Sequence, residues 1–520
     1  MAVMHLCFLL LVGAFISLYG GAIGAKILLY PYSQMYNSRF RNIMKIGQMM
    51  AARNHSVSML ITTDINLKDI PEGIMVLTVK VDYETLSFSS EELLTDVHKN
   101  PFPLVMKLVE KSRGTLDALF GNKELLDTLI SKKFDLLFYD IIATESLVLR
   151  DYLNIPGVGY SNLGFDGDWT VYPEHPAYMP NIITGYSDHM SFWERLMNTL
   201  MLTMTVFFKY YVTAPFNDAK EKYNLNKSLP ITTSYTRLSI LIVNVDFAFD
   251  YPRPVYPWVK TVSGILFHPA KPLSKDLEEF VESSGEHGII IMSFGSMVAE
   301  LTPEKAEIIA RVFAQLPQKI IWRNNNSDIS GLANNTKVMN WIPQNDLVGH
   351  AKARLFITHC GISGSHEALY HGVPVVAVPL FVDQFSHATK FVERLGMGEK
   401  LDFYNITRST FSAVILKVLN NPSYFANAKR AAAMVRDQPM DGKETLMYWV
   451  EYVIRNNGTL HFHSQAMERL SWYQYLLLDV IIFLFMVVVC VFIFLIFCSK
   501  MLCSHVFKVQ PQLRKRDKTD

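Results

Sequence analysis

Cysteine is scarce in this chain, which contains only five in 520 residues. Cys7 lies in an apolar N-terminal run, and Cys490, Cys498 and Cys503 lie in or beyond an apolar run near the C-terminus. Cys360 is therefore the one cysteine of the long central part, so no intrachain disulfide can form there. This excludes a disulfide-stapled scaffold, whichever compartment the chain enters.

An excess of charge of one sign is also missing. Lys and Arg together number 49, Asp and Glu 48, and the formal net charge is +1. Because such a balance gives no long-range attraction to nucleic acid, we expect no nucleic-acid partner. Half of the residues are hydrophobic and 19% are charged, a composition that excludes global disorder. The length favours two large domains with accessory segments.

The first accessory segment is the N-terminus, residues 1–25. It combines the apolar run Leu6-Cys-Phe-Leu-Leu-Leu-Val with small residues from Gly20 onward, although no Lys or Arg precedes the run. This pattern is typical of a signal peptide and its cleavage region. A buried strand is the alternative, but a second strand-like run begins at once with Lys26, which favours the signal peptide.

The second accessory segment, residues 473–498, is predicted to cross a membrane. From Tyr475 onward it carries one charge, Asp479, near its start. A helix of about 24 residues reaches about 36 Å, which is enough to cross a hydrocarbon core of about 30 Å. The tail, 499–520, is rich in Lys and Arg, so the positive-inside rule places it in the cytosol and the bulk of the chain in a lumen.

The end of the tail suggests which membrane this is. Arg516 and Lys518 stand five and three positions from the C-terminus, as in a dibasic signal for retrieval to the endoplasmic reticulum. An ordinary stop-transfer tail explains these two residues equally well. We predict a single-pass type I protein of the endoplasmic reticulum membrane with its bulk in the lumen. Glycosylation sequons on the predicted lumenal side agree with this and begin at Asn54, Asn226, Asn325, Asn334, Asn405 and Asn457.

Between these ends the chain alternates strand-like and helix-like stretches. The run Ile27-Leu-Leu-Tyr, the helical stretch Phe40 to Ala52 and a strand-like run from Val57 form a βαβ unit. The same alternation of strand-like and helix-like stretches begins again at Gly288-Ile-Ile-Ile-Met-Ser. Continuous apolar runs such as Val375-Val-Ala-Val indicate strands buried on both faces, and hence parallel sheets.

These patterns predict an α/β fold with two βα domains and a cleft between them. The first domain spans 26–250 and the second 276–472. The linker, 251–275, opens with the Pro-rich stretch Tyr251-Pro-Arg-Pro-Val-Tyr-Pro-Trp, which favours extended backbone.

The most informative region runs from Trp341 to Gln384. It reads W-I-P-Q-N-D-L-V-G-H, then F-I-T-H-C-G-I-S-G-S-H-E-A-L-Y-H-G-V-P, then P-L-F-V-D-Q. Here, and in Asp250-Tyr-Pro-Arg-Pro, Phe294-Gly-Ser-Met and Trp472-Tyr-Gln-Tyr, the chain resembles the UDP-glycosyltransferases, the membrane-bound animal glucuronosyl- and glucosyltransferases. The resemblance covers nearly the whole chain. It implies the GT-B arrangement of two facing Rossmann-like domains, with the acceptor in the first and the UDP-sugar in the second.

The residues of this region fit a nucleotide-diphosphate site. A strand ends at His359, and Gly361, Ser363 and Gly364 open a helix whose free N–H groups favour a pyrophosphate. His359 and Ser363 are further hydrogen-bond partners for it. Glu367, one to two turns into the helix, can accept hydrogen bonds from both ribose hydroxyls.

Further residues complete the predicted donor site. Trp341 offers a flat face for uracil, and Gln344 can donate to and accept from the edge of the base. Asp383 and Gln384 follow a strand end, where ligands gather in open α/β sheets, and the resemblance assigns them to the sugar hydroxyls. Singly, each residue would more often be core or surface; together and in this order they indicate a UDP-sugar. Gly295 and Ser296 form a second small-residue turn that faces the phosphates, and Arg253 is a weaker phosphate candidate.

A zinc site is the alternative for His366-Glu-Ala-Leu-Tyr-His371. The two histidines are five positions apart, so on a helix they point about 140° apart and cannot share one face. We therefore expect no metal and no cofactor, since the UDP-sugar is itself the donor substrate.

The acceptor side departs from the family pattern. The resemblance implies a base His near the first strand, oriented by an Asp from a later strand, and Asp140 matches that Asp. The position of the His, counted back from Arg53-Asn-His55, holds Arg39. Arg stays protonated in proteins and cannot act as a general base, and His55 lies a helix length away.

Three interpretations of Arg39 remain open. Asp140 could act alone on an acidic or already nucleophilic acceptor such as an amine. Arg39 could bind an anionic group of the acceptor or donor. The chain could also bind UDP-sugar with weak or no transfer. We predict an inverting transfer of glucuronate or glucose to a small lipophilic hydroxyl or amine; the alternative is an inactive UDP-sugar binder. A homo- or hetero-oligomer is left open.

Overall fold

The computed structural model describes residues 24–33, 38–63, 70–82, 89–97, 99–100, 102–167, 175–225, 230–265 and 267–516. The predicted signal peptide lies outside them except for its last two residues, and so do the sequon at Asn226 and Lys518 of the predicted retrieval signal. The chain divides into two compact units, Met1–Leu460 and His461–Asp520.

The first domain is built on a parallel sheet, which has seven strands among the described residues. The strand order is β3-β2-β1-β4-β5-β6-β7, which reverses direction between β1 and β4, as in a doubly wound α/β fold. The central strands are buried because helices cover both faces of such sheets. Their bounds are β1 Lys26–Tyr30, β2 Ser56–Thr62, β3 Ile74–Val79, β4 Leu136–Asp140, β5 Gly157–Ser161, β6 Ile240–Val243 and β7 Val259–Thr261.

The second domain repeats this plan with six parallel strands in the described part, in the order β10-β9-β8-β11-β12-β13. The direction of winding reverses between β8 and β11, so the carboxyl ends of those two strands flank the crevice where open α/β sheets bind ligands. The prediction of two parallel α/β domains is confirmed. The bounds are β8 Ile289–Ser293, β9 Lys319–Arg323, β10 Thr336–Met339, β11 Ala353–Thr358, β12 Val375–Ala377 and β13 Gly398–Lys400.

Helices connect the strands of both sheets. Those between the strands of the first sheet are α1 Ser38–Ala52, α2 Ser90–Glu92, α3 Phe102–Gly121, α4 Lys123–Lys132, α5 Thr144–Leu153, α6 Phe192–Lys222 and α7 Ile231–Thr236. Those that follow, up to residue 460, are α8 Lys275–Glu282, α9 Pro303–Phe313, α10 Gln344–Val348, α11 Ile362–His371, α12 Gln384–Thr389, α13 Arg408–Asn420, α14 Pro422–Arg436 and α15 Gly442–Arg455.

Two predicted domain boundaries need correction. The segment 251–275 is not all linker, because β7 lies within it and pairs in parallel with β6 of the first sheet. The second domain does not extend unbroken to 472, because α15 packs against the first domain. Arg53 forms ion pairs with Glu444 and with Glu451 of α15, the latter at 3.1 Å. The ammonium of Lys260 lies 4.0 Å from the ring centroid of Trp449.

The second unit contains the predicted membrane helix. After the short helices α16 Gln465–Arg469 and α17 Trp472–Tyr475, the helix α18 runs from Leu478 to Arg516. Within its first 27 residues, Leu478–Ser504, an 18-residue window has a mean hydropathy of 3.6 and no buried residue. By length and composition this stretch can cross a membrane, although it starts and ends later than the predicted 473–498.

Candidate active site

The turn after β11 shapes the centre of the predicted donor site. The strand ends at Thr358, and Gly361 is the N-cap of α11, so a turn of three residues reverses the chain. Cys360 adopts a left-handed backbone with φ of +63°, and Val382 in the loop after β12 does the same at +52°. Left-handed residues other than glycine cost about 1–3 kcal/mol and concentrate at functional sites.

His359 fills the space between two glycine turns. A Cβ atom on Gly295 would lie 2.7 Å from the imidazole, and one on Gly361 would lie 2.4 Å from it. Burial lowers the pKa of His359 to about 4, and the charge of Arg323 acts in the same direction. The imidazole is therefore neutral at physiological pH and can offer one N–H donor. It lies between the two turns that are predicted to hold the phosphates.

Gln344 and Glu367, two residues of the predicted nucleoside site, are in contact, and Trp341 lies three positions before Gln344. The Gln344 Nε2 donates to the Glu367 Oε2 at 2.6 Å, and a Cβ on Gly364 would approach that Nε2 to 3.2 Å. Burial raises the pKa of Glu367 to about 7, while the hydrogen bond from Gln344 acts against the increase. The Trp341 side chain is 59% exposed, so its face can receive a planar base.

The loop after β12 brings Asp383 near the same turn, and the side-chain oxygen of Gln384 is engaged within that loop. The Gln384 Oε1 is buried and accepts from the backbone N–H groups of Leu380 and Phe381, at 2.8 and 3.2 Å. Gln384 therefore holds the loop in shape, and its carbonyl oxygen is not available to a sugar hydroxyl. The Asp383 carboxylate lies 3.7 Å from Nδ1 of His387, which is itself 2.9 Å from the Cys360 carbonyl oxygen.

The remaining donor candidates lie in different surroundings. Ser363 is half-buried in the first turn of α11, and Ser296 is exposed beside Gly295. The guanidinium of Arg253 lies 4.6 Å from the ring centroid of Phe165 in the first domain. That contact does not test phosphate binding, so the role of Arg253 stays a prediction.

The described side chains offer little to a metal ion. His366 and His371 are buried, and they lie 3.5 Å from Asn244 and 3.1 Å from Asn345, respectively. Elsewhere, Glu278, Glu282 and His350 bring ligand atoms within 4.8 Å of one another. Lys352 already forms an ion pair with Glu282 at 2.7 Å, so this group is an ion-pair network at the surface.

The predicted acceptor centre is a buried ion pair between Arg39 of α1 and Asp140 at the end of β4. The Arg39 Nε donates to Oδ2 at 2.9 Å and Nη2 donates to Oδ1 at 2.5 Å. Oδ1 also accepts from the backbone N–H of Ile142 at 3.1 Å. Burial alone would lower the pKa of Arg39, but the Asp140 carboxylate outweighs burial and raises it. Both carboxylate oxygens are therefore engaged by a permanent cation.

The two buried tyrosines near Asp140 do not replace the base. Tyr32 and Tyr160 are buried, and burial raises the pKa of both phenols above the ordinary value of 10. The Asn162 Oδ1 accepts from the Asn42 amide at 3.0 Å and from the Tyr160 hydroxyl at 3.2 Å. The surroundings of Asp140 are thus polar and ordered, but at neutral pH these neighbours do not take up a proton.

The comparisons with known proteins agree with this geometry. The family described as UDP-glucoronosyl and UDP-glucosyl transferase matches residues 25–513. The chain belongs to this family. It is 34% identical over 495 residues to UDP-glucuronosyltransferase 2C1 of Oryctolagus cuniculus, covering 91% of this chain and 96% of the relative. It is 32% identical over 512 residues to UDP-glucuronosyltransferase 1-2 of Mus musculus, covering 95% of each.

Solved structures confirm the GT-B fold of this family member. The calicheamicin glycosyltransferase CalG4 aligns with a TM-score of 0.56 at 16% identity, over 83% of this chain and 99% of that one. A UDP-glucose:anthocyanidin 3-O-glucosyltransferase in complex with UDP aligns with a TM-score of 0.54 at 16% identity and the same coverage. The predictions of the family, the fold and a transferase are confirmed.

Two residues of the site were not found by sequence reasoning. Arg41 of α1 and Arg323 at the end of β9 both lie over Trp341, with guanidinium carbons 5.1 and 5.8 Å from the ring centroid. Arg41 lies two positions after Arg39, and on a helix this spacing points it about 200° away from Arg39. The sequence thus indicated that Arg41 points away from Arg39. It did not indicate that Trp341 of the other domain lies in that direction.

Proposed function

We propose that this protein is an inverting glycosyltransferase that moves glucuronate or glucose from a UDP-sugar to a small lipophilic acceptor, through a hydroxyl or amine. The observation that carries the proposal is the contact between Gln344 and Glu367 beside Trp341, next to a neutral His359 and the start of α11. A planar face, an acceptor for hydroxyls and free N–H groups match uracil, ribose and pyrophosphate in that order.

The ion pair at the acceptor centre limits which kinds of acceptor can act as the nucleophile. In the transfer, the acceptor atom forms a bond to the anomeric carbon while the bond from that carbon to the phosphate oxygen breaks, and UDP leaves with the electron pair. A hydroxyl must also lose a proton, but both oxygens of Asp140 are held by Arg39. An amine with a free lone pair, or an acidic hydroxyl that is already ionised, needs no base during attack.

We further propose that transfer needs no metal ion. UDP must leave as an anion, and the site already provides the N-terminus of α11 together with Arg41 and Arg323 near Trp341. Adding EDTA to a membrane preparation should leave UDP release unchanged, with a divalent-metal-dependent transferase as the positive control for chelation. A loss of activity that Mg²⁺ or Mn²⁺ restores would contradict this part of the proposal.

We place the protein in the endoplasmic reticulum membrane with its catalytic part in the lumen. The helix of the candidate span, the basic tail and the exposure of five sequon asparagines support this placement: Asn54, Asn325, Asn334, Asn405 and Asn457. Helix α6 also exposes large apolar side chains such as Trp193, Met204 and Phe207, which suits a protein working beside a bilayer. Endoglycosidase H treatment should reduce the apparent mass; an unchanged mass would contradict lumenal placement.

The function is tested by a donor screen on the full-length protein in microsomes. UDP release is measured for several UDP-sugars, each paired with amine, phenol and sterol acceptors, and Glu367→Ala serves as the control for donor-site activity. We expect release with at least one sugar, fastest with amines or acidic phenols. UDP binding without release for any pair would overturn the transferase assignment and leave a UDP-sugar-binding protein.

A further inference from the structure

The two domains of Met1–Leu460 place one arginine each over the same indole. The guanidinium carbon of Arg41, from the first domain, lies 5.1 Å from the centroid of the Trp341 ring. That of Arg323, from the second domain, lies 5.8 Å from it. Both distances are within the range of cation–π attraction, about 6 Å. The predicted uracil face is therefore bordered by cations from both sides of the cleft.

The two guanidinium groups repel each other. Burial lowers the pKa of Arg323, and the charge of Arg41 lowers it further. The Arg323 Nη1 donates to the carbonyl oxygen of Gly295, in the turn predicted to face the phosphates. Its Nε is buried and has no hydrogen-bond partner among the described residues. A buried donor without an acceptor is unfavourable, so the pair favours an added anion.

Helix α1 directs positive charge toward both halves of the site. Arg39 and Asn42 face Asp140 and Asn162 inside the first domain. Arg41 faces Trp341, and Lys45, one turn further along the same face, is near enough to Glu367 for its charge to lower the pKa of that carboxyl. The face toward the second domain thus brings two cations to a site that has one carboxylate at its centre.

We propose that Arg41 and Arg323 form a two-domain clamp that binds the diphosphate of a nucleoside diphosphate whose base lies on Trp341. The anion relieves the repulsion between the two guanidinium groups and supplies an acceptor for the Arg323 Nε. Arg41 is then a donor-binding residue contributed by the acceptor domain, so binding of the nucleotide joins the two domains. This inference rests on the proposed function, because it takes the UDP-sugar as the ligand of the cleft.

The test compares UDP with uridine, which has the same base and ribose but no phosphate. Binding of each to the full-length protein in lipid nanodiscs is measured by calorimetry, for wild type, Arg41→Ala, Arg41→Gln and Arg41→Lys. Arg430→Ala, which removes an exposed arginine of α14, is the matched control for lost charge. Retained uridine binding shows that each variant is folded.

We expect Arg41→Ala and Arg41→Gln to weaken UDP binding about tenfold, because each removes a charge-assisted hydrogen bond to the diphosphate. Uridine binding and the Arg430→Ala variant should stay within about twofold of wild type, and Arg41→Lys should lie between. Unchanged UDP binding in Arg41→Ala would overturn the clamp. Equal weakening of UDP and uridine would do so too, as would tighter binding of both, which would make Arg41 a lid over Trp341. A wild type that does not bind UDP would instead overturn the proposed function itself.

Discussion

The donor side and the acceptor side of the cleft differ in the charge state of their buried ionisable groups. On the donor side burial shifts the pKa values of His359 and Glu367 toward the neutral forms. Gly295 and Gly361 allow the close approach of the His359 ring. On the acceptor side both partners, Arg39 and Asp140, stay charged and neutralise each other. The donor side is therefore suited to a charged ligand, whereas the two opposite charges of the acceptor side are already paired with each other.

This difference teaches where specificity resides in this member of the family. Under the proposed function, we expect a donor site bordered by arginines to favour an anion such as UDP. An acceptor centre whose carboxylate is held in an ion pair favours an acceptor that is nucleophilic without the help of a base. Substitutions that break the Arg39–Asp140 ion pair, or that change the charge of the donor side, should therefore alter this difference between the two sides in predictable directions.

The most disruptive change is removal of Arg39, because it leaves the Asp140 carboxylate buried without a counter-ion. Arg39→Ala should destabilise the fold by about 3–5 kcal/mol, the usual penalty for breaking a buried ion pair. The midpoint of thermal unfolding in detergent measures the effect. The double variant Arg39→Leu with Asp140→Leu should recover most of the stability. Equal midpoints for Arg39→Ala and the exposed control Arg430→Ala would show that the pair contributes nothing.

A second change turns the acceptor centre into one with a base. In Arg39→His the imidazole can hydrogen-bond to Asp140 and accept a proton, and general base catalysis contributes at least about 100-fold. We expect turnover of hydroxyl acceptors to rise by about 100-fold or more, while turnover of amine acceptors changes far less. Initial rates of UDP release with a matched alcohol and amine measure the ratio. An unchanged ratio would show that Arg39 does not occupy the position of the base.

A change on the donor side should have a smaller and different effect. Glu367→Ala removes the predicted acceptor for the ribose hydroxyls and leaves the Gln344 amide without its partner. Affinity for UDP should fall about 10- to 30-fold, equivalent to about 1.4–2 kcal/mol. Calorimetry with the full-length protein checks this, and 2′,3′-dideoxyuridine 5′-diphosphate supplies the control, since it should bind wild type and variant equally. A difference between them for this ligand would assign Glu367 another role.

The contrast between the two sides also explains what the sequence could predict. The sheets were predictable because continuous apolar runs such as Val375-Val-Ala-Val have few other uses. The strand–turn–helix unit that carries His359, Gly361 and Glu367 was predictable because its geometry is local, and its binding of a UDP-sugar stays a prediction. The acceptor pair joins residues 101 positions apart, so the sequence predicted its members but not the bidentate contact between them.

Other features depended on long-range packing. The backbone contacts of Gln384 were missed because a buried amide holding a loop looks the same in sequence as one facing a ligand. Helix α15 packs on the first domain partly through Arg53, which pairs with Glu444 about 390 positions later. No periodic pattern in the sequence predicts such a contact. Arg41 was missed for the same reason, because its partner Trp341 belongs to the other domain.

The smallest expected effect is a pH dependence that belongs to the donor side alone. Burial raises the pKa of Glu367 to about 7, and the ionised carboxylate is the form that accepts from ribose hydroxyls. Uridine affinity should therefore be constant above about pH 8 and fall as the pH drops through 7, by about tenfold at pH 6, because one proton must be displaced. Uridine is the ligand of choice since the phosphates of UDP titrate in the same range. His359, with a pKa of about 4, stays neutral throughout and adds no slope. In Glu367→Gln the profile should be flat, and a slope that persists there would assign the titration to another group.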